Sequence, residues 1–278
     1  MISNSQKAFI EVGDRLFEFE LPSENEEIMP NVKWGNIAGF PTVAYWYYRI
    51  MEARLNKAAI KYRLGNSLIE EIGACLLGGH GIPAANGLAA FEHMKEKGAF
   101  NGEAHSEEQL YYWLSQPIDL KSKTFKYRFA KQKSKYLHCA LKKITNESAP
   151  CETGLSLRNW LTDIKGIGLK TASWVARNWL DADDVAILDI HIYRAGVLGG
   201  FFDAETTIEK HYLSLEEKFI ALAHSMDVRT SELDALMWYE MQASTSALNL
   251  MKNKLNNQLN AQSSTDNSSS NSEQLAFA

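Results

Sequence analysis

Ile164-Lys165-Gly166-Ile167-Gly168-Leu169-Lys170-Thr171-Ala172 is the stretch that decides the fold, and Asp189, in Leu188-Asp189-Ile190-His191, follows nineteen residues after Lys170. One apolar helical pattern ends near Asp163 and another begins near Leu169, so Gly166 and Gly168 make the turn between two helices. Glycine permits positive φ and lets a backbone come close to a ligand. The N–H groups that open the second helix have no intrahelical partner and carry partial positive charge. A phosphate fits such a site. Two glycines alone would suit an ordinary αα-turn; the full string, with Lys165 and Lys170, points to a helix-hairpin-helix that grips a DNA backbone at Gly166 and Gly168.

Lys170 has two possible roles. It can add a phosphate contact, as in modules that only bind DNA. It can also attack a sugar carbon, which requires the neutral amine, although a lysine ordinarily titrates near ~10.4. Partial burial and neighbouring cations favour the neutral form. Asp189 stands ahead of Ile190-His191-Ile192-Tyr193-Arg194, where it makes a good helix N-cap. At the edge of a cleft the same carboxylate can stabilise a cationic sugar transition state.

The chain has 278 residues, 45% hydrophobic and 23% charged, which suits a globular protein with a buried core. No apolar run approaches the length of a membrane span, and Met1-Ile2-Ser3-Asn4-Ser5-Gln6-Lys7 lacks a secretory apolar core. No membrane partner and a cytoplasmic, nucleoid-associated location are therefore expected. Cys75, Cys139 and Cys151 fit no metal-binding spacing, and three cysteines cannot supply a four-cysteine iron–sulfur cluster. Neither a metal nor a cofactor is expected. The net charge is -5, but phosphate binding needs only a local patch. Lys121 to Lys143 contains nine Lys or Arg and no acid, interleaved with Phe125, Tyr127, Phe129 and Tyr136. Such a run is either a solvated helix face or the footprint of a phosphate backbone.

Ala8–Val12 and Leu16–Leu21 flank Gly13-Asp14 and read as a β-hairpin that needs a body to pack on. Pro22 to Pro30 reads as an acidic loop. Beyond Pro41 the pattern is helical: Thr42 to Arg54, Ser67 to Leu77, Ala84 to Lys97, Glu107 to Ser115, Phe129 to Ile144, Leu155 to Asp163, Leu169 to Leu180, Ile190 to Val197, Thr206 to Ala223 and Ser231 to Leu248. From about Asn253 the chain becomes rich in Asn, Ser and Gln, a composition that cannot bury enough apolar area to order itself. The expected organisation is an N-terminal β extension over 1–40, a helical body over 41–250 and a disordered polar tail over 251–278.

Leu161 to Val197 resembles the helix-hairpin-helix DNA glycosylase superfamily, whose signature is this hairpin, a Gly/Pro-rich loop and an aspartate. The resemblance implies a mainly α, two-lobed glycosylase fold with a small N-terminal β extension. In that superfamily the lysine marks members that form a Schiff base with the sugar and then nick the strand. Lys170 and Asp189 match the two catalytic positions at the spacing of the 8-oxoguanine branch, and Asp189-Ile190-His191 matches its Asp-x-His pattern. His191 would contact a phosphate near the extruded nucleotide. Glu71 to His80 looks like the helix and loop that carry the wedge filling the vacated stack, with His80 at the wedge position. Arg128-Phe129 with Lys133 and Tyr136 resembles a stretch of several 8-oxoguanine glycosylases.

Two positions depart from the usual pattern. The hairpin proline is Lys165 here. Trp174, which shares a face with Lys170 at i+4, replaces the cysteine of eukaryotic-type members, as the aromatic of archaeal members does. An extruded purine stacks well on an aromatic face, and Trp238 lies where a second stacking ring is expected. The resemblance thus implies a monomeric, bifunctional glycosylase and AP lyase acting on double-stranded DNA that contains an oxidised purine. The residues also remain compatible with a non-catalytic DNA-binding module, or with a glycosylase for another damaged base.

Overall fold

The structure, a computed structural model, describes residues 5–57, 63–79, 81–120, 123–244 and 249–250. His80 and the polar stretch 251–278 lie outside the described residues. In chain order the elements are β1 (Gln6–Val12), β2 (Arg15–Leu21), β3 (Glu27–Met29), β4 (Val32–Lys33), α1 (Val43–Leu55), α2 (Leu68–Leu77), α3 (Ala84–Glu96), α4 (Glu107–Ser115), β5 (Pro117–Leu120), β6 (Lys123–Lys126), α5 (Ala130–Asn146), α6 (Gly154–Thr162), α7 (Leu169–Leu180), α8 (Ile190–Gly199), α9 (Ile208–Ser225) and α10 (Thr230–Ala243). No helix among the described residues is long and apolar enough to cross a membrane.

The helices begin where hydroxyl side chains can accept their orphan N–H groups. Thr42 accepts from Tyr45 N (3.2 Å), Ser67 from Glu70 N (3.3 Å) and Ser106 from Gln109 N (3.2 Å). Thr153 opens α6 with a reciprocal capping box to Ser156. By contrast, Pro83 and Gly168 open α3 and α7 without any side-chain cap.

The chain divides into two compact units. The first comprises residues 1–56, 190–208 and 235–278. Its β1–β2 hairpin pairs Gln6 with Leu21 through to Val12 with Arg15. Ala8, Ile10 and Leu21 are buried, whereas Phe9 and Leu16 remain exposed. The hairpin packs on α1, where Phe19 stacks on Tyr48 and the Tyr48 hydroxyl donates to Phe9 O at 3.3 Å. The stretch read as an acidic loop is partly a second, smaller hairpin: β3 pairs with β4, Met29 opposite Val32. Strands of three and two residues are too short to leave an alternation in sequence.

The second unit comprises residues 57–189 and 209–234. Leu76, Phe91, Leu110, Leu137, Leu161 and Val175, one from each of six helices, are all fully buried in a common core. Glu71 on α2 is fully buried and hydrogen-bonded. It accepts from Leu64 N (2.8 Å), Gly65 N (2.7 Å) and Asn178 Nδ2 (2.6 Å), which ties α2 to α7. A third hairpin, β5–β6, lies between the helices expected over Glu107 to Ser115 and Phe129 to Ile144, with Ile118 opposite Phe125. Its second strand carries Lys123 and Lys126, so the basic run hid a strand edge that its charges keep solvated.

Candidate active site

Gly166 has φ +91°, a conformation that L side chains rarely adopt. A Cβ there would also stand 2.2 Å from the ring of Tyr136 on α5, so backbone and packing both demand glycine. Ile164 N donates to Leu161 O (3.0 Å) and Ile167 N to Ile164 O (3.0 Å), which winds the turn tightly between α6 and α7. Gly168 is different: a Cβ on it would meet nothing within 4 Å. No packing within the protein demands glycine there, and its surface is open to the outside. Since no side chain caps α7, its first-turn N–H groups face an exposed glycine edge, the arrangement that accepts a phosphate.

Lys170 is the second residue of α7 and half-buried. Trp174 follows one turn later, packed against the core, with its ring over Gly78. Gly78 ends α2 and begins the loop that leads to His80. That root is held firmly. The Tyr127 hydroxyl donates to Leu77 O (2.6 Å), and the Lys133 ammonium donates to Leu76 O (2.5 Å) and Gly78 O (3.2 Å). Burial lowers the pKa of Lys133, and the nearby charge of Lys170 lowers it further. The amines of Lys133 and Lys170 therefore lie within electrostatic reach of each other.

Asp189 ends the connection from α7 to α8 and is half-buried. Side chains fix this connection along its whole length. The Arg229 guanidinium donates to Asp181 Oδ2 (2.9 Å) and Asp183 Oδ2 (2.7 Å), and Leu155 N donates to Asp184 Oδ2 (3.0 Å). Ala186 N donates to Glu216 (2.9 Å), Ile187 N to Asp234 (3.3 Å) and Leu188 N to the Tyr212 hydroxyl (3.3 Å). Asp234, buried on α10, also pairs with Arg177 of α7 at 3.6 Å. Burial pushes its pKa up to about 6 despite Arg177, and the charges of Asp189 and Asp183 push in the same direction.

The structure thus gathers Lys170, Trp174, Asp189 and the hairpin glycines in the second unit. His191, half-buried in the first turn of α8, and Trp238, 41% exposed on α10, belong to the first. Of the basic run, Lys123, Lys126, Arg128, Lys131, Lys135 and Lys142 are exposed. Lys133 turns inward, Lys143 pairs with Glu147 (2.9 Å) and Asp163 (3.4 Å), and Lys121 lies outside the described residues.

Three residues of this site escaped the sequence: Tyr212, Glu216 and Asp234. Asp234 had a visible signal, an acid alone in the apolar run Leu233-Asp234-Ala235-Leu236-Met237. Glu216, followed by Glu217, had none.

Comparison with known proteins agrees with this geometry. The family described as 8-oxoguanine DNA glycosylase matches residues 57–228. An 8-oxoguanine DNA glycosylase/AP lyase of Saccharolobus islandicus is 31% identical over 143 residues, 48% of this chain and 68% of that relative. The protein of the same description from Saccharolobus solfataricus is 32% identical over 147 residues, with 48% and 68% covered. Among solved structures, the 8-oxoguanine glycosylase/lyase of Methanocaldococcus jannaschii, in complex with a 15mer DNA containing 8-oxoguanine, has a TM-score of 0.54 and 26% identity, covering 72% of this chain and 98% of that one. The matched segment contains the hairpin, Lys170, Trp174 and Asp189, and on these grounds the chain belongs to the 8-oxoguanine DNA glycosylase family.

Proposed function

We propose that this protein excises 8-oxoguanine from duplex DNA and then nicks the strand, with Lys170 as the nucleophile and Asp189 as the stabilising carboxylate. One observation carries the proposal: a half-buried lysine in the first turn of the hairpin's second helix, with the segment ending at Asp189 tied back to that helix through Glu216. The relatives' description as glycosylase/AP lyases supports the same chemistry.

The hairpin glycines hold a phosphate while the target nucleotide leaves the stack, and Trp174 offers a face for the extruded base. The Lys170 amine attacks C1′ and the N-glycosidic bond breaks, its electron pair leaving with the base. Asp189 stabilises the positive charge that develops on the sugar. Loss of a proton from the new C1′ amine and opening of the sugar ring give an imine. That imine acidifies the C2′ hydrogen, and its removal expels the 3′ phosphate by β-elimination. The scheme uses an amine nucleophile and calls for no cofactor. His191 as a phosphate contact, His80 as the wedge and Trp238 as a second stacking ring complete the proposed set.

Duplexes carrying a single 8-oxoguanine, uracil, thymine glycol or alkylated purine test the substrate. Release of 8-oxoguanine with strand nicking is expected. Release of only a pyrimidine lesion would refute the assignment.

A further inference from the structure

The proposed chemistry needs two groups from separate segments held at a fixed separation. Lys170 rides on a helix, but Asp189 ends a connection that starts at Asp181. Catalytic geometry tolerates well under an ångström of drift, and a misplacement of about 1 Å can cost ~100-fold in rate. A connecting segment does not hold that tolerance by itself.

Two side chains one turn apart on α9 supply the restraint. The Tyr212 hydroxyl donates to Ala186 O (2.9 Å) and accepts from N of Leu188 (3.3 Å), the residue before Asp189. Glu216 accepts from Ala186 N (2.9 Å) and, on the same carboxylate oxygen, from Ser173 Oγ (3.2 Å). Ser173 lies between the proposed nucleophile and Trp174 on α7. The other oxygen of Glu216 is taken by the Arg158 guanidinium of α6, and Arg158, Ser173, Tyr212 and Glu216 are all buried. A single carboxylate oxygen therefore joins the helix that carries Lys170 to the strap that ends in Asp189, and a phenol locks the peptide between. Burial raises the Tyr212 pKa above its ordinary value, so the hydroxyl keeps its proton throughout the neutral range.

We propose that Tyr212 and Glu216 are positioning residues for base excision: they set Asp189 relative to Lys170 and touch no reacting atom. This rests on the assignment of Lys170 and Asp189 above. The prediction concerns rate at saturating enzyme and leaves DNA affinity aside, because neither residue faces the hairpin's phosphate edge.

The experiment is a double-mutant cycle of Tyr212→Phe and Asp189→Asn, read as single-turnover release of 8-oxoguanine from a lesion duplex at saturating enzyme. Duplex affinity and Tm are measured in parallel. Tyr212→Phe should slow release about 10- to 100-fold, with affinity unchanged. In the Asp189→Asn background the same change should add no further loss, since the group it positions is gone. A merely structural weakening would act equally in both backgrounds, and that result overturns the proposal, as does a wild-type rate for Tyr212→Phe. Should Tyr212→Phe fail to fold, Ser173→Ala, which leaves Ala186 and Arg158 on Glu216, enters the same cycle. It should slow release only when Asp189 is present, and a wild-type rate overturns the brace. A wild-type rate for Asp189→Asn alone overturns the underlying site assignment, and the brace with it, whatever Tyr212→Phe does.

Discussion

The ring of Tyr136 fills the space in which Gly166 would carry a side chain, with ring atoms 2.2 Å from that Cβ position. The hairpin is thus seated on α5 and is no free loop, and its two glycines do different work. Gly166→Ala must displace an aromatic ring and hold alanine at φ +91°, so a loss of about 1–3 kcal/mol of stability is expected. Gly168→Ala meets no atom within 4 Å and should leave Tm within a degree or two, yet its methyl projects where a phosphate must come close. Thermal melts and duplex-binding titrations of both variants separate the roles. Equal effects on both measurements would contradict the division.

Trp174 should matter to the base and not to the sugar. Trp174→Leu keeps an apolar side chain over Gly78 but removes the stacking face, a contribution of about 1–3 kcal/mol per base. Base release from an 8-oxoguanine duplex is expected to fall about tenfold or more, whereas covalent trapping on abasic-site DNA, which has no base to stack, persists. Parallel loss of both activities would move Trp174 from base contact to mere support of α7.

The legibility of this site followed its physics. Gly166, Gly168 and Lys170 lie within five residues because one turn of backbone would build the proposed phosphate site, so local pattern was enough to propose them. Trp174 was proposed from helix periodicity together with the family resemblance, and Asp189 from its place before a helix and the spacing of that family. Tyr212 and Glu216 meet Ala186 and Leu188 across 24 to 30 residues, and no local pattern encodes such a meeting. The basic run was legible as charge but not as structure. Lys133 is spent on the carbonyls that end α2, and the run's first part is a hairpin strand whose partner, Pro117–Leu120, is too short to announce itself.

Asp234 should give the protein a measurable pH dependence. Its folded-state pKa, about 6, lies above the ordinary 3.8, so the folded state binds the proton more tightly than the unfolded state does. The stabilisation from this group is complete below about pH 4 and is lost as pH rises through 6. Asp234→Asn removes the titration, so the stability of the wild type minus that of the variant should fall steadily between about pH 4 and 7. Denaturant titrations across that range test the sign, and a difference that rises with pH would contradict it.

The most direct test of the central claim is borohydride trapping on a duplex containing 8-oxoguanine. If Lys170 forms the imine, the wild-type protein becomes covalently fixed to the DNA, and Lys170→Gln gives no covalent product while still binding the duplex. Trapping that survives in Lys170→Gln would show that another amine is the nucleophile and contradict the account at its centre.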